Sequence, residues 1–341
     1  MEQTKLAWQY LNGLGDANLV VVSEENVAPL AGQISIKMAA ASLNYRDLVV
    51  MDGKHGASVQ PPLIPLSDGA GHVVAIGAGV TEFNLGDMVC PLFFPNWVAG
   101  TPPTDMHSWM LGGPADGVLT EYFTTDASAV IKAPSNLTTT EAACLPCAGL
   151  TAWSALTNPT PIRAGETVLI LGTGGVALFA LAFARAMGAR TIVLTSSDKK
   201  IAMLNDLGAH EVVNYKTTPK WSKIIKTMTN GKGVDRVIEL GGAETLEQSI
   251  RAVRVGGTVV TIGNVTGSLA TIPLPLMLTR YINLQAVSVG HKQAFAEMNR
   301  AIELNKIKPV IDRVFPFEKA PEAFAYLRAA GHFGKVCVAI D

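Results

Sequence analysis

The residues with the clearest chemical signal form a glycine-rich turn, Gly172-Thr173-Gly174-Gly175-Val176-Ala177. The turn follows an apolar run of strand length, residues 167–172, and opens a helical stretch, which is the context of a dinucleotide-binding turn. Gly172 permits the tight turn, Gly174 lets backbone N–H groups approach a pyrophosphate, and Ala177 lets the helix pack closely on the strand. The positive end of the helix then stabilises the phosphate charge. The pattern predicts dinucleotide binding at Gly172, Gly174, Gly175 and Val176.

The end of the next strand indicates which dinucleotide is expected. An NAD-binding chain places Asp or Glu roughly 20 residues after the glycine turn to hold the ribose 2′-hydroxyl, but this strand ends in Thr195-Ser196-Ser197. Hydroxyls and a lysine bind a 2′-phosphate, which a carboxylate would repel. We therefore predict NADP(H), with Ser196, Lys200 and Tyr215 around that phosphate. In the alternative interpretation the two lysines at 199 and 200 only begin a solvated helix, with Asp198 offsetting their charge.

Composition excludes several classes of partner. The 341 residues suit two domains of ordinary size. The formal net charge of -1, from 27 Lys plus Arg and 28 Asp plus Glu, argues against binding nucleic acid or an anionic membrane surface. The longest strongly apolar run, residues 176–184, is far shorter than the roughly 20 residues that span a bilayer. Four cysteines are too few for a disulfide framework, so we expect a reduced, cytoplasmic protein.

The elements that position these residues change character near residue 150. Before it, β-rich runs at 34–42, 70–80 and 87–94 are separated by turn residues and predict an antiparallel sheet or barrel. Residues 95–117 are rich in glycine and proline and are expected to form a long surface excursion. After residue 150, apolar runs alternate with helical stretches, a pattern typical of a doubly wound parallel sheet. The strand runs are 167–172, 191–197, 211–215, 234–242 and 258–263, and the helical stretches are 176–188, 199–208, 221–231 and 244–257. A helix at 294–307 and a strand at 336–340 are expected to return to the first domain.

With these motifs in place, the chain resembles the medium-chain dehydrogenase/reductase superfamily, close to its quinone oxidoreductases and zinc-free alcohol-dehydrogenase-like members. The markers are ASLNYRD (41–47), SDGAGHVVAIGAGVTEFNLGDMV (67–89), GVLTEYFTTD (117–126), LPCAGLTAWSAL (145–156) and the glycine turn. The resemblance implies an α/β protein with a GroES-like β-barrel catalytic domain, residues 1–148 and 288–341, and a Rossmann domain, residues 149–287. It places the active site in the cleft between them and implies a homodimer formed by sheet extension.

The zinc-dependent branch of this family supplies a comparison for the metal. Its members present a Cys in the first motif, a His in a Gly-His-Glu motif, and a third ligand before the stretch that resembles GLTAWSA. Here the first position is Asn44, Leu66-Ser67-Asp68 replaces Gly-His-Glu, and only Cys147 remains at the third. Catalytic zinc needs three protein ligands from Cys, His or acidic side chains. We therefore predict no zinc. Cys144 and Cys147 form a C-x-x-C pair, for which a core role is favoured over a redox role.

Without a Lewis acid, reduction of a simple carbonyl needs another group to stabilise the developing alkoxide. A conjugated acceptor spreads that charge over several atoms, so the protein mainly holds the nicotinamide and the acceptor together. This reasoning favours NADPH-dependent reduction of a quinone or an α,β-unsaturated carbonyl. Two alternatives stay open: a zinc-free alcohol dehydrogenase or aldehyde reductase, and a catalytically idle NADPH-binding protein that acts as a sensor or structural partner.

The resemblance also assigns candidate roles at the reacting centre. Asn44 is expected beside the nicotinamide, where its amide would orient a carboxamide or polarise a carbonyl, unless it only caps a turn. Tyr45 would donate a proton or shape the pocket, and Ser67 would line the same cavity. Asp68 could act as a general acid only with a raised pKa. The aromatic side chains of Trp97 and Trp109 would either stack on a flat acceptor or hold the loop together.

Further coenzyme contacts follow from the resemblance alone. Thr151 is expected near the phosphates or the nicotinamide ribose. Gly241, Gly263 and Asn264 follow strands at the carboxyl edge of the sheet, where ligands bind in such folds. Lys335 is expected to reach the coenzyme phosphates from the returning segment.

Overall fold

Two large sheets organise the chain, each in its own compact unit. The structure is a computed structural model that describes residues 3–55 and 59–340. One unit comprises the residues up to Leu150 together with those from Val289 onward, and the other spans Thr151–Ser288.

The first part of the chain is mostly strand. Its strands are β1 (Thr4–Tyr10), β2 (Leu19–Glu25), β3 (Gln33–Leu43), β4 (Asp68–Ile76), β5 (Met88–Pro91), β6 (Tyr122–Asp126) and β7 (Val130–Lys132). Its helices are α1 (Tyr45–Met51) and α2 (Thr139–Ala142), followed by a π-helical turn (Leu145–Gly149) and α3 (Leu150–Thr157). Short 3₁₀ turns lie at Asp16–Asn18, Met106–Trp109 and Ala127–Ala129.

Strands and helices then alternate. The strands are β8 (Thr167–Leu171), β9 (Arg190–Thr195), β10 (Glu211–Asn214), β11 (Val234–Glu239), β12 (Val253–Thr261) and β13 (Asn283–Ala286). The helices are α4 (Gly175–Ala186), α5 (Ile201–Asp206) after a 3₁₀ turn at Asp198–Lys200, α6 (Trp221–Met228), α7 (Leu246–Ala252) and α8 (Leu274–Arg280). The chain ends with α9 (Lys292–Asn305), β14 (Ile311–Pro316), a 3₁₀ turn at Phe317–Lys319, α10 (Ala320–Arg328) and β15 (Lys335–Ala339).

The sheet of the first unit has seven strands. Its order is β14-β15-β3-β4-β5-β7, and β6 also pairs with β3. All pairs are antiparallel except β14 with β15. Ser42, near the end of β3, pairs with Asp68 on one side and with Cys337 on the other. This register brings Asn44, Asp68 and Lys335 to the same end of the sheet, although they are far apart in the sequence.

The sheet of the second unit is parallel throughout, as predicted, in the order β10-β9-β8-β11-β12-β13. All five residues of β8 are buried, since helices cover both faces. The strand order reverses between β8 and β11, and ligands of doubly wound sheets bind at such a switch point. The core of this unit is built from apolar side chains, which include Leu169, Ile192, Val237, Ile250 and Val259.

The structure corrects some predicted boundaries. The helix predicted at 244–257 ends at Ala252, because the β-branched residues Val253 and Val255 start β12 instead. The sequence patterns did not predict helix α8 or strand β13. The predicted surface excursion at 95–117 is exposed only in its first part, since Met110 and Leu111 are buried. No helix in the described residues is long and apolar enough to cross a membrane.

Candidate active site

Asn44 lies between the end of β3 and the start of α1, where it is the N-cap residue of the helix. Its backbone N–H donates to the Asp47 carboxylate at 2.7 Å. Asp47 is buried and forms an ion pair with Arg46 at 3.3 Å. The structural role considered for Asn44, the capping of a turn, is therefore present in this structure.

Lys335 lies beside Asn44 at the end of β3. Its side chain is buried, at 3% exposure, and its Nζ donates to the Leu43 carbonyl and to Asn44 Oδ1, both at 2.6 Å. These bonds direct the ammonium toward the end of β3. Burial and these two bonds hold the ammonium beside Asn44, and the expected contact with coenzyme phosphates stays a prediction.

Asp68 completes this group of residues at the start of β4. Its carboxylate accepts a hydrogen bond from Ser67 Oγ at 2.7 Å and one from the Cys147 backbone N–H at 3.0 Å. Both Ser67 and Asp68 have no exposed surface. Asp68 therefore has no exposed atom with which to contact a substrate, as a general acid would require. We call Asn44, Ser67, Asp68, Cys147 and Lys335 the lysine cluster.

Burial dominates the electrostatics of the cluster. It raises the pKa of Asp68, and the Lys335 ammonium is the largest opposing influence. Burial and then the Asp68 charge raise the pKa of the Cys147 thiol, which is therefore neutral. The Asn44 amide nitrogen, Nδ2, lies close enough to lower the pKa of Asp68, yet it makes no hydrogen bond of normal geometry to the described chain. The lysine cluster thus contains the ammonium of Lys335, which two hydrogen bonds hold in place, and the buried carboxyl group of Asp68.

The lysine cluster does not fit a catalytic zinc ion. At the three positions aligned with zinc ligands, Asn44 Oδ1 accepts from an ammonium, Ser67 Oγ donates to Asp68, and only Cys147 offers a sulfur. An amide and a hydroxyl are weak ligands for zinc, and a metal ion next to the buried Lys335 ammonium would be repelled. No group of three His, Cys, Asp or Glu side chains within residues 3–55 and 59–340 has the arrangement of a metal site.

The neighbouring candidates differ in their surroundings. Tyr45 is the first residue of α1, and its side chain is 47% exposed. Trp97 Nε1 donates to the Gly100 carbonyl, and its ring packs edge-on against His291 at 5.4 Å. Trp109, 54% exposed, donates to Asp105. Both tryptophans therefore support the loop that carries them, which was one of their two predicted roles.

Cys144 lies beside a different cysteine from the one its motif suggested. Its Sγ is 3.6 Å from Sγ of Cys337 on β15, and both residues are fully buried. Cys147 is a free, half-buried cysteine whose backbone N–H, rather than its sulfur, contacts Asp68. Cys144 thus lies in the core, in agreement with the interpretation that the sequence favoured.

A second group of candidate residues lies in the other unit, at the carboxyl edge of the parallel sheet. Gly172 follows β8, Ser196 follows β9, Tyr215 follows β10 and Gly241 follows β11, while Gly263 lies two residues beyond β12. Because the strands are parallel, their carboxyl ends meet at one edge. The structure therefore brings these predicted coenzyme residues to one edge within this unit.

The turn between β8 and α4 fits a dinucleotide. Gly172 has φ +89°, a left-handed conformation that favours glycine. A Cβ atom built at Gly174 would meet nothing within 4 Å, so the backbone there is open to an approaching group. Gly175 and Val176 start α4, and Ala177 is fully buried against the strand. A helix N-terminus with accessible backbone N–H groups suits a pyrophosphate.

The residues predicted around a 2′-phosphate flank this turn. Lys200 Nζ donates to Thr173 Oγ1 at 3.2 Å, so its positive charge lies against the glycine turn. Asp198, whose charge could have offset the lysines, accepts a hydrogen bond from Asn214 Nδ2 at 2.7 Å. Ser196 is half-buried, and Tyr215 is exposed. Cationic and hydroxyl groups thus line this part of the edge.

The turn after β11 depends on a residue that the sequence analysis missed. Glu239 is buried at the end of β11 and accepts hydrogen bonds from the backbone N–H groups of Gly241 and Gly242 and from the hydroxyls of Thr245 and Ser249. Its signal in the sequence is a carboxylate that ends an apolar strand just before two glycines. Gly263 packs closely against the backbone of Leu240, since a Cβ atom added at Gly263 would lie 2.1 Å from the Leu240 carbonyl oxygen.

Asn264 and Thr151 complete the predicted set. Asn264 is exposed, and its Cα would lie 2.8 Å from a Cβ added at Gly242. Thr151 is buried in α3, the helix that begins the second unit. Asn264 therefore adjoins the β11 turn, whereas the structure gives Thr151 no distinguishing contact.

Comparison with known proteins agrees with this two-part architecture. A family model described as an alcohol dehydrogenase GroES-like domain matches residues 30–135, and one described as a zinc-binding dehydrogenase matches residues 175–304. The chain is 42% identical over 317 residues to a zinc-type alcohol dehydrogenase-like protein of Schizosaccharomyces pombe, covering 91% of each chain. It is 32% identical over 318 residues to a quinone oxidoreductase of Rattus norvegicus, covering 91% of this chain and 89% of the relative.

A solved structure from Sinorhizobium meliloti, provisionally described as an alcohol dehydrogenase, covers 100% of both chains with a TM-score of 0.94 and 36% identity. The GroES-like and Rossmann folds expected from the sequence are thereby confirmed. The chain belongs to the medium-chain dehydrogenase/reductase superfamily of oxidoreductases.

Proposed function

We propose that this protein is an NADPH-dependent reductase of quinones or α,β-unsaturated carbonyls that works without a metal ion. The observation that carries the proposal is the lysine cluster. Where the zinc branch has its metal ligands, this chain has an amide, a hydroxyl and a thiol, and the amide oxygen is bonded to an ammonium. Such a site offers hydrogen bonds rather than a Lewis acid, and conjugated acceptors need less charge stabilisation than simple carbonyls.

The coenzyme preference rests on the edge of the parallel sheet. Ser196, Lys200 and Tyr215 lie at the edge of the sheet where we expect a ribose 2′-phosphate, and Lys200 lies against the glycine turn. The residues after β9 include no carboxylate at the position that would hold a 2′-hydroxyl. These features favour NADP(H) over NAD(H).

When bound, the coenzyme supplies a hydride to the acceptor, whose oxygen gains the electron pair and then takes a proton from water. The residues of the chain hold the two reactants and stabilise the oxygen that becomes negative. The backbone of the glycine turn would bind the pyrophosphate, and the Asn44 amide of the other unit would donate a hydrogen bond to the acceptor oxygen. Tyr45, exposed beside Asn44, shapes the acceptor side or supplies a proton.

A panel of acceptors tests the proposal. The oxidation of NADPH is followed at 340 nm with a benzoquinone, an alkenal, a saturated aldehyde of the same length, and no acceptor; the same series is repeated with NADH. We expect turnover of the quinone or the alkenal, little with the saturated aldehyde, and a lower KM for NADPH than for NADH.

Two outcomes would contradict the proposal. Preferred turnover of the saturated aldehyde, or oxidation of simple alcohols, would support the alcohol dehydrogenase alternative that some relatives' names suggest. Tight coenzyme binding without turnover of any acceptor would support the idle binding protein.

A further inference from the structure

Lys335 is a buried ammonium for which the site described so far gives no function. Burying an unpaired ammonium is costly, so a lysine at 3% exposure needs compensating partners. Its hydrogen bonds go to two neutral oxygens, the Leu43 carbonyl and Asn44 Oδ1. Its charge also acts on the buried carboxyl groups of Asp68 and Asp47, whose pKa values it lowers. The ammonium therefore balances the acidic groups around Asn44.

The contact with Asn44 determines how the amide is oriented. An ammonium has only donors, so the atom that faces it must be the amide oxygen. The Nδ2 group is thereby turned away from Lys335, and no hydrogen bond of normal geometry to the described residues uses it. Nδ2 is buried and carries two N–H donors; one is directed at Asp68, and the other is the donor we assign to a bound oxygen, which would reach it only by displacing the groups that now cover it. A cation on the amide oxygen also strengthens these donors by polarising the group.

We propose that Lys335 is a positioning residue for hydride transfer: its ammonium fixes the Asn44 amide as a hydrogen-bond donor and provides the cluster's positive charge. This inference rests on the proposed function and deepens it. Lys335 acts through Asn44, so it needs no contact with the coenzyme or the acceptor. The lysine cluster is assembled from separate segments of the chain. Lys335 starts β15 and bonds Asn44, which follows β3. The Cys147 backbone N–H donates to Asp68, which starts β4.

The first test is a double-mutant cycle with Lys335→Met and Asn44→Ala. Kinetics with the best quinone give kcat and KM, and quenching of protein fluorescence gives the Kd of NADPH. We expect Lys335→Met to lower kcat about 10- to 100-fold, as loss of one aligned donor does, while the Kd of NADPH changes less than about 3-fold. In the Asn44→Ala background, Lys335→Met is expected to cost little more, because its effect passes through the amide.

Two results of the cycle would overturn the inference. A large rise in the Kd of NADPH with unchanged kcat would assign Lys335 to the coenzyme phosphates, and additive losses would show a role independent of Asn44. Lys308→Met is the matched control. Lys308 also bonds a backbone carbonyl and a polar side chain in this unit, Asn136 and Glu141, but lies outside the cluster.

A second variant covers the case in which Lys335→Met does not fold. Asn44→Asp keeps an oxygen for the ammonium and removes both Nδ2 donors, so we expect at least a 10-fold loss of kcat, with a cooperative thermal transition showing that the variant is folded. Wild-type turnover by this variant would overturn the inference.

A spectroscopic readout separates this inference from the proposed function. With ¹⁵N-labelled asparagine, the Asn44 side-chain resonance is identified by its loss in Asn44→Ala. We expect it to shift in Lys335→Met and to stay in place in Lys308→Met. An unmoved resonance would contradict the role of Lys335, whereas a shift without any quinone or alkenal turnover would contradict only the proposed function.

Discussion

The carboxyl group of Asp47 is buried between the backbone of Asn44 and the guanidinium of Arg46. Burial raises its pKa from 3.8 to about 6, although Arg46 opposes the rise. Between these two values the folded protein holds a proton that the unfolded chain has released. Its contribution to stability is therefore present below about pH 4 and is lost as the pH rises through about 6.

We expect Asp47→Asn to remove this pH dependence. Because Asn cannot ionise, the free energy of unfolding of the variant should improve relative to wild type by about 1–3 kcal/mol between pH 4 and pH 7. Urea unfolding at several pH values measures the difference. Asp52→Asn is a control of opposite sign, since hydrogen bonding to Arg328 lowers the pKa of Asp52. If the free energy of unfolding depended on pH in the same way for wild type and Asp47→Asn, the raised pKa of Asp47 would be contradicted.

Individual residues of the site were partly predictable. Asn44, Ser67 and Cys147 could be selected because each stands at a position where a resembling motif has a metal ligand. The bond between Lys335 and Asn44 could not be predicted, since 291 residues separate them and only the pairing of β15 with β3 brings them together. The phosphate contact expected for Lys335 came from the resemblance alone and stays a prediction, while the structure shows a contact with Asn44.

The turn between β8 and α4 can be tested as an element. At Gly174 φ is negative and an added Cβ would meet nothing within 4 Å, so Gly174→Ala should leave the Tm unchanged or slightly higher. The methyl group would stand where the pyrophosphate is expected, so the Kd of NADPH should rise at least about 10-fold. Differential scanning fluorimetry and fluorescence titration measure the two effects.

Gly172→Ala provides the contrast, because φ +89° strains any side chain there and stability should fall by about 1–2 kcal/mol. Unchanged coenzyme affinity in a stable Gly174→Ala protein would mean that the dinucleotide does not approach this turn.

Helices and strands with a clear periodicity of apolar residues could be predicted from the sequence, whereas those without one could not. The buried strand β8 and the apolar helix α4 lie within two residues of their predicted bounds. By contrast, β13 has only four residues, mostly exposed, and the short helix α8 has no fully buried side chain, so neither shows a periodic pattern. The β-branched Val253 begins a strand and also pairs with Val234 of β11, a contact that the helical pattern of residues 244–257 does not reveal.

At the scale of the molecule, the exposed edge of the parallel sheet is a candidate contact for the expected homodimer. Strand β13 lies at the end of the parallel sheet, where β12 is its one partner among the strands of residues 3–55 and 59–340. Large exposed apolar side chains surround it: Leu274, Leu278, Tyr281 and Leu284. An exposed strand edge with an apolar surface suits pairing with an identical edge of a second copy. We propose that β13 and α8 form the dimer contact.

The substitution Leu278→Glu tests this contact. It places a charge in the proposed interface, so light scattering at micromolar concentration should give the mass of one chain instead of two. Leu304→Glu on α9, where Leu304 is 83% exposed, is the control and should leave the mass unchanged. A single-chain mass for the wild-type protein, or a dimer that survives Leu278→Glu, would contradict the proposal.

The division of the chain followed from composition and motif order, since an antiparallel pattern gives way to alternating strands and helices near residue 150. The predicted boundaries were 148/149 and 287/288, and the compact units meet at 150/151 and 288/289. The acceptor could not be predicted in the same way, because it depends on the shape of a site that no local pattern encodes.

The most direct test of the account is the metal content of active enzyme. Protein purified without chelator is analysed for zinc by mass spectrometry, and the same sample is assayed with NADPH and a quinone before and after dialysis against a chelator. Because the lysine cluster offers one sulfur and a buried ammonium, we expect far less than one zinc per chain and undiminished turnover after dialysis. About one zinc per chain, with turnover lost on its removal and restored on its return, would contradict the account.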